Sequence, residues 1–215
     1  MDPLTQVAAF SAQRQLMVES QLRARGIRDE RVLRAMAHVP RHQFVDPVYW
    51  GKAYQDHPLP IGHGQTISQP YIVAVMLEVL ALEPTHEALE IGTGSGYTAA
   101  LLAELTAHVY SVERHQDLAR AAGQLLKQLG YGNVTVLVGD GSEGLPAAAP
   151  FDAILVSAAA LQLPPALFEQ LKEGGRMAIP VGPPEAQELQ FVRKQGGQAV
   201  ITVIESCRFV PLVGS

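Results

Sequence analysis

Residues 87–97, EALEIGTGSGY, pass from an apolar strand-like run through three glycines to the start of a helical pattern. A strand handing over to a helix through Gly92, Gly94 and Gly96 makes a turn without side chains. A ligand can then approach the backbone, with the helix N-terminus beyond it. A glycine motif alone is weak evidence, but here the elements on both sides are the right ones. The spacing also discriminates among cofactors. A dinucleotide fingerprint counted from Gly92 requires glycine at position 97, which is Tyr97. G-x-G-x-G preceded by Glu90 instead suits S-adenosylmethionine, which carries no phosphate and offers an amino-acid end to an acid and to backbone amides.

Downstream, strand and helix patterns alternate. YTAALLAEL (97–105) reads as a helix, HVYSV (108–112) as a strand, and QDLARAAGQLLKQLG (116–130) as a helix closed by Gly130. VTVLV (134–138) and FDAILV (151–156) read as strands, PALFEQL (165–171) as a short helix and RMAIPV (176–181) as a strand. Such alternation implies parallel βαβ units covered on both faces. LQFVRK (189–194) and AVITVIES (199–206) have no helix between them and are joined through QGG, a hairpin signal that makes the C-terminal edge antiparallel.

Upstream, residues 4–25 read as a helix with apolar points at Leu4, Val7, Ala8, Leu16 and Leu22, stopped by Gly26. Asp29 is a good N-cap for a second helix carrying Val32, Leu33 and Met36, which ends near Pro40. Residues 46–70 read as irregular, and a connection of that length points to function. From Pro70 a helix resumes, with Val73, Met76, Leu77 and Leu80 as one buried stripe. The expected fold is α/β: a doubly wound, mostly parallel Rossmann-like sheet of the class I S-adenosylmethionine-dependent methyltransferase type, with an N-terminal helical extension and an antiparallel C-terminal edge. One domain is expected over 1–215, with helices and active-site loop in 1–70 and the core in 71–215.

Composition bounds the rest. The chain has 215 residues, 47% of them hydrophobic, which suits one packed globular domain and excludes a disordered chain. A formal charge of −5 argues against a broad basic face for nucleic acid. The single cysteine, Cys207, excludes an intramolecular disulfide framework and points to a cytoplasmic home. His57 and His63 lie close in sequence without a cysteine or carboxylate cluster, so no metal site is expected. No stretch has the length and purity of a membrane span.

Two acids match the glycine loop. Glu113 ends the second strand of the alternating region, where a carboxylate can accept both ribose hydroxyls. Asp140, in VGDG after the third strand, can accept from an adenine amino group, and Gly141 lets a ring lie close. Each alone reads equally well as a turn residue or a helix N-cap; in order, at the right strands, they favour a ligand.

The stretches MVESQLRARGIRDERVLRAMAHVPRHQFV, AYQDHPLPIGHGQTISQPYIVAVMLEVL, ALEIGTGSGYTAALLAEL, GDGSEGLP, PFDAILVSAAA, GGRMAIPVG and FVPL resemble the protein-L-isoaspartate O-methyltransferases. The likeness runs from about residue 17 to the end. TISQP (66–70), paired with VPRHQFV and FVPL, is its most specific part, and VSAAALQLP is where the chain departs from the family's usual threonine and charged residue. The resemblance implies methyl transfer from S-adenosyl-L-methionine to the free α-carboxylate of L-isoaspartyl residues in damaged proteins, leaving S-adenosyl-L-homocysteine. The ester then collapses to a succinimide, whose hydrolysis returns some normal aspartate. It also implies Ser68 as the active-site serine, substrate contacts from Thr66, Asp56, Val210, Pro211 and Leu212, and cofactor contacts from Gln65, Ile67, Glu90, Gly92, Thr93, Gly94, Ser95, Gly96, Glu113, Arg114, Asp140 and Gly141. Isoaspartyl peptides and proteins are the expected partners, with no nucleic acid, no membrane and a monomeric protein.

The residues suit that chemistry. A carboxylate with a pKa near ~4 is already ionised at neutral pH, so no general base is needed. Positioning can supply ~7–11 kcal/mol of the barrier. Neutral donors orient an anion without quenching its nucleophilicity, as a hydroxyl and amides before the helix at 70 would. Spacing alone also allows Ser68 to be only an N-cap of that helix. Asp56 could equally be a surface turn residue, and Val210–Leu212 a plain edge strand. Tyr49, Trp50 and Tyr54 read as packing. Two other functions stay open: a methyltransferase with an RNA or small-molecule acceptor, which the acidity and TISQP count against, and a cofactor-binding module without turnover.

Overall fold

The computed structural model describes residues 3–214. Its centre is a seven-stranded sheet with β3 (Glu87–Ile91), β4 (His108–Glu113), β5 (Val134–Val138), β6 (Phe151–Val156), β7 (Leu171–Val181), β8 (Gln187–Gln195) and β9 (Gln198–Cys207). The order is β5-β4-β3-β6-β7-β8-β9. The pairs from β5 to β7 are parallel, and β7–β8 and β8–β9 are antiparallel. This is the doubly wound sheet with an antiparallel edge expected from the alternation. Its strands are buried on both faces because successive side chains point to opposite sides. Ala88, Ala153 and Leu155 join one apolar cluster, and Leu89, Ile91, Ile154 and Val156 the other.

The glycine turn connects β3 to α4 (Tyr97–Leu105), and α5 (Gln116–Gln128) connects β4 to β5. The chain then crosses back to lay β6 on the other side of β3. That reversal opens a crevice at the carboxyl ends of β3 and β6, where open α/β sheets bind ligands. Gly92 N donates to Val112 O and Ser157 N to Ile91 O, both at 2.8 Å, which ties the two exits together.

The N-terminal region runs as α1 (Pro3–Met17), a π turn (Val18–Leu22) and a 3₁₀ turn (Arg23–Arg25), stopped by Gly26 at φ 105°. Leu4 and Val7 of the expected stripe lie outside the described side chains. Asp29 caps α2 (Glu30–His38) by accepting from Arg31 N at 2.8 Å. The helix α3 (Pro70–Leu80) begins where expected, but its apolar surface is not one stripe. Ile72, Ala74 and Val75 are buried along with Val73, Met76, Leu77 and Leu80, because α3 packs between α2 and β7.

Three other expectations change. Residues 46–70 hold a 3₁₀ turn (Pro47–Lys52) and a hairpin of β1 (Leu59–Gly62) and β2 (Gln65–Ile67). These strands are too short, and too interrupted by proline, glycine and a register shift, to give a period-2 signal. β7 starts five residues earlier than RMAIPV, running through Gly174 and Gly175 with an irregular register against β6. The short helix α6 (Pro165–Glu169) is correspondingly shorter than expected. Among the described residues no helix is long and apolar enough to cross a membrane.

Candidate active site

A cavity opens at the crevice. The glycine loop supplies Gly92, Thr93, Gly94 and Ser95, the hairpin and its exit supply Gln65, Thr66, Ile67 and Ser68, and β4 and its exit supply Glu113 and Arg114. Gly141 and the terminal Val210, Pro211 and Leu212 complete the set foreseen from sequence. Ile91, Thr98, Val112, His115, Ser157 and Ala158 also line it and were not foreseen. Apart from Thr98, in the first turn of α4, their only sequence signal is adjacency to a strand end, since the residues at the ends of parallel strands line such crevices.

Asp56, Glu90, Gly96 and Asp140 do not line the cavity. Gly96 is at φ 90°, and a Cβ there would sit 3.2 Å from Leu126 and 3.3 Å from Ala122, so its absence lets α4 close on α5. Gly94, at φ 52°, aims its N–H at Glu113 Oε2, 2.9 Å away. Glu113 Oε1 accepts from His115 N at the same distance. This nearly buried carboxylate thus welds the glycine loop to the β4–α5 turn, and each oxygen keeps a further lone pair. Asp140 Oδ1 accepts from Ser142 N and Ser142 Oγ, capping a 3₁₀ turn. Gly141 is small for Ile91, whose Cγ2 would lie 2.4 Å from an added Cβ, and not only for a ligand ring.

Glu90 is fully buried and reaches the cavity only through a relay. Ser111 Oγ donates to Glu90 Oε2 at 2.5 Å, and Thr93 Oγ1 lies 2.6 Å from Ser111 Oγ. Glu90 Oε1 has no partner among the described residues. Burial pushes this carboxyl up to about 8, against the Ser111 hydrogen bond and with help from the Glu113 charge. Burial thus favours its protonated form well above the ordinary carboxylate range.

Ser68 follows directly on the hairpin, whose second strand ends at Ile67. The N-cap residue of α3 is Gln69, with no side-chain capping bond. The capping acceptor comes from Asp56, whose Oδ1 takes Tyr71 N at 3.0 Å and whose Oδ2 takes Gln69 Nε2 at 2.7 Å and an ion pair from Arg25. Asp56 is thus the anchor of the α3 N-terminus. The Ser68 carbonyl accepts from Arg41 Nη2 at 2.8 Å. Ser68 also borders a second cavity, shared through Thr66, Ser68, Ser157 and Val210 and continued by Gln69, Ile72, Cys207 and Phe209. At the tip of the hairpin, His63 stacks on His115 with centroids 4.9 Å apart.

The terminal segment is not an edge strand. Ala159 N donates to Val210 O and Leu212 N to Ala159 O, an isolated parallel bridge. The Gln187 side chain holds Phe209 by both amide atoms, accepting from its N at 2.6 Å and donating to its O at 3.2 Å. Behind the site, Tyr54 and Trp50 pack as expected: Tyr54 OH is 2.7 Å from His42 Nδ1, and Trp50 meets the edges of Phe10 and His42.

A sequence model of the protein-L-isoaspartate(D-aspartate) O-methyltransferase family matches residues 12–215. The chain belongs to that family. It is 58% identical to the protein-L-isoaspartate O-methyltransferase of Koribacter versatilis (strain Ellin345), covering 97% of this chain and 94% of that protein. It is 55% identical to that of Opitutus terrae (strain DSM 11246 / JCM 15787 / PB90-1), covering 94% and 88%. Among solved structures, one protein-L-isoaspartate O-methyltransferase superposes with a TM-score of 0.84 at 29% identity, covering 94% of this chain and 66% of that one. A putative Plasmodium falciparum protein-L-isoaspartate O-methyltransferase, in complex with S-adenosyl-L-homocysteine, superposes at 0.81 with 28% identity, covering 93% and 98%. This member of the family is therefore an S-adenosyl-L-methionine-dependent methyltransferase whose substrates are isoaspartyl-containing proteins. The residues present fit that cofactor: a loop with three glycines at positive φ and a carboxylate with spare lone pairs.

Proposed function

We propose that methyl transfer in this chain runs through Ser68 in the wall between two cavities, cofactor on one side and peptide on the other. The cofactor supplies a methyl group on a sulfonium, already activated for attack. Glu113 accepts the ribose hydroxyls with its spare lone pairs, while Gly92, Thr93, Gly94 and Ser95 offer backbone and hydroxyl groups to the rest of the cofactor. Gln65, Ile67 and Arg114 border it, and Gly141 bounds the base, with Asp140 capping the turn that carries Gly141. Glu90 and Gly96 contribute from behind, one through the Thr93–Ser111 relay and the other by helix packing.

On the acceptor side the Ser68 hydroxyl, with Thr66, orients the isoaspartyl α-carboxylate. That group arrives ionised, so no base removes a proton. The free energy comes from holding oxygen, methyl and sulfur in line, and neutral donors leave the carboxylate nucleophilic. Val210, shared by both cavities, borders the peptide, Pro211 and Leu212 meet it from the cofactor side, and Asp56 fixes the loop. The observation that carries this reading is that Ser68 lines both cavities while Asp56, not Ser68, caps α3.

We further read residues 1–215 as one methyltransferase unit, 1–70 forming the helices and active-site loop and 71–215 the core. One apolar cluster running from Met17 to Leu189 supports this. A cytoplasmic monomer without nucleic-acid or membrane partners fits the net charge of −5 and the single cysteine. The deciding experiment offers labelled S-adenosyl-L-methionine with an L-isoaspartyl peptide and its L-aspartyl twin. Label should enter only the first; equal labelling of both overturns the reading.

A further inference from the structure

Arg41 lies in VPRHQFV and is 0% exposed. Its Nε donates to Ala53 O and its Nη2 to Ser68 O, each at 2.8 Å, while Nη1 has no partner among the described residues. Its guanidinium carbon stands 4.9 Å from the centroid of Tyr97, which itself lines the cofactor cavity. Among the described residues no carboxylate forms an ion pair with it, and the Asp56 carboxylate acts on it only through its charge, beyond ion-pair range. Burying a cation without a counter-ion is costly, and a neutral amide could tie down a carbonyl. A charge kept at that cost next to the peptide unit of Ser68 calls for a use of the charge itself.

We propose that Arg41 is a positioning residue for methyl transfer, gripping the Ser68 carbonyl from inside the fold and so fixing where the Ser68 hydroxyl meets the acceptor carboxylate. The Ser68 carbonyl and the Gln69 N–H belong to one peptide unit. A cation on the carbonyl polarises that unit and makes the N–H a stronger donor. Gln69 borders the acceptor cavity, so the effect falls on the side where an anion must sit. The cofactor side depends mainly on the glycine loop and Glu113, and Arg41 reaches it only through the face of Tyr97. The inference rests on the role given to Ser68.

The test uses the full chain with Arg41→Lys and Arg41→Gln, each alone and with Ser68→Ala. Initial rates on an isoaspartyl peptide, S-adenosyl-L-homocysteine binding and thermal melting are read for every variant. We expect kcat to fall about tenfold or more in both single Arg41 variants, with homocysteine-product binding within about twofold of wild type. Gln, which keeps a donor but no charge, should be at least as slow as Lys. In the Ser68→Ala background the Arg41 changes should cost less than about threefold, because the hydroxyl that Arg41 places is gone and only its pull on the Gln69 N–H is left. Equal fold-losses in both backgrounds, unchanged kcat, parallel loss of product binding, or loss of cooperative melting in both variants each overturn the proposal and return Arg41 to the scaffold. Normal turnover in Ser68→Ala alone would instead sink the role given to Ser68, so the two failures are distinguishable.

Discussion

Asp56 Oδ1 accepts the backbone N–H of Tyr71 at 3.0 Å, from fifteen residues upstream, and so does for α3 what a local cap residue usually does. Its other oxygen holds Gln69 and Arg25. Replacing it by alanine removes a cap worth ~1 kcal/mol and loosens the turn that carries Ser68. Asp56→Ala should lower stability by about that amount in urea denaturation and raise KM for the isoaspartyl peptide. Asp56→Asn keeps an acceptor for Tyr71 N and loses the contacts of the other oxygen, the Gln69 amide bond and the part-exposed Arg25 pair. Asparagine should therefore recover the cap and lie between alanine and wild type in stability. Equal damage by Ala and Asn would show that the charge matters and the cap does not.

Glu113 carries two backbone N–H bonds, from Gly94 and His115, at 2.9 Å each. A glutamine can accept at one end but presents an amide donor at the other, facing an N–H. Hydrogen bonds to a charged group are worth ~1.5–3 kcal/mol. Glu113→Gln should therefore weaken S-adenosyl-L-homocysteine binding by about tenfold or more in calorimetry, by that same range. KM for the peptide, measured at saturating cofactor, should barely move. A change in peptide KM as large as the loss of cofactor affinity would contradict the separation of the two cavities.

The contrast between these acids shows what a sequence makes legible. β3 and α4 fall at 87–91 and 97–105, where the pattern of EALEI and YTAALLAEL places them, because strand, glycine turn and helix are all local. Most of the cavity follows, since strand ends converge at the crevice. The cap on α3, the Gln187 grip on Phe209 and the Arg41 grip on Ser68 each join residues 15 to 27 positions apart, and pairings of that kind leave no periodic trace. An arginine in VPRHQFV reads as a surface residue until the fold closes over it. Glu90 is visible as an acid before the glycines, but its proton depends on burial that only the packed sheet reveals.

His42 is stacked on Phe10 at 4.0 Å and hydrogen-bonded to Tyr54. Burial, with the nearby Arg14 charge, pushes it down from its ordinary 6.5 to about 4. Between those values the unfolded chain binds a proton that the fold refuses, so stability falls as pH drops from 6.5 towards 4 and levels below that. His42→Phe keeps a ring for Phe10 and removes the titration. Urea midpoints across this window should fall more steeply for wild type than for the variant. Parallel curves would remove His42 as a source of acid sensitivity.

Glu90 works in the opposite direction. Its carboxyl ionises near 4.5 in an unfolded chain, whereas burial holds its proton in the fold up to about 8. Across that window the native state binds more protons than the unfolded one, so stability is greatest below 4.5 and is lost as pH rises towards 8. Glu90→Gln keeps an oxygen for the Ser111 hydroxyl and cannot ionise. In cofactor-free protein the variant should equal wild type near pH 5 and exceed it by a few kcal/mol at pH 8, since each tenfold difference in proton affinity between fold and unfolded chain is worth ~1.4 kcal/mol. Cofactor binding should shrink that difference, because a cationic ammonium end held near Thr93 would favour the ionised carboxylate, with the Glu90 proton released to solvent. Thermal melts from pH 5 to 8, with and without S-adenosyl-L-homocysteine, decide both points. A wild-type pH slope that matches the variant's without ligand would mean that Glu90 is ionised in the empty fold, and the relay would then hold a charge, not a proton.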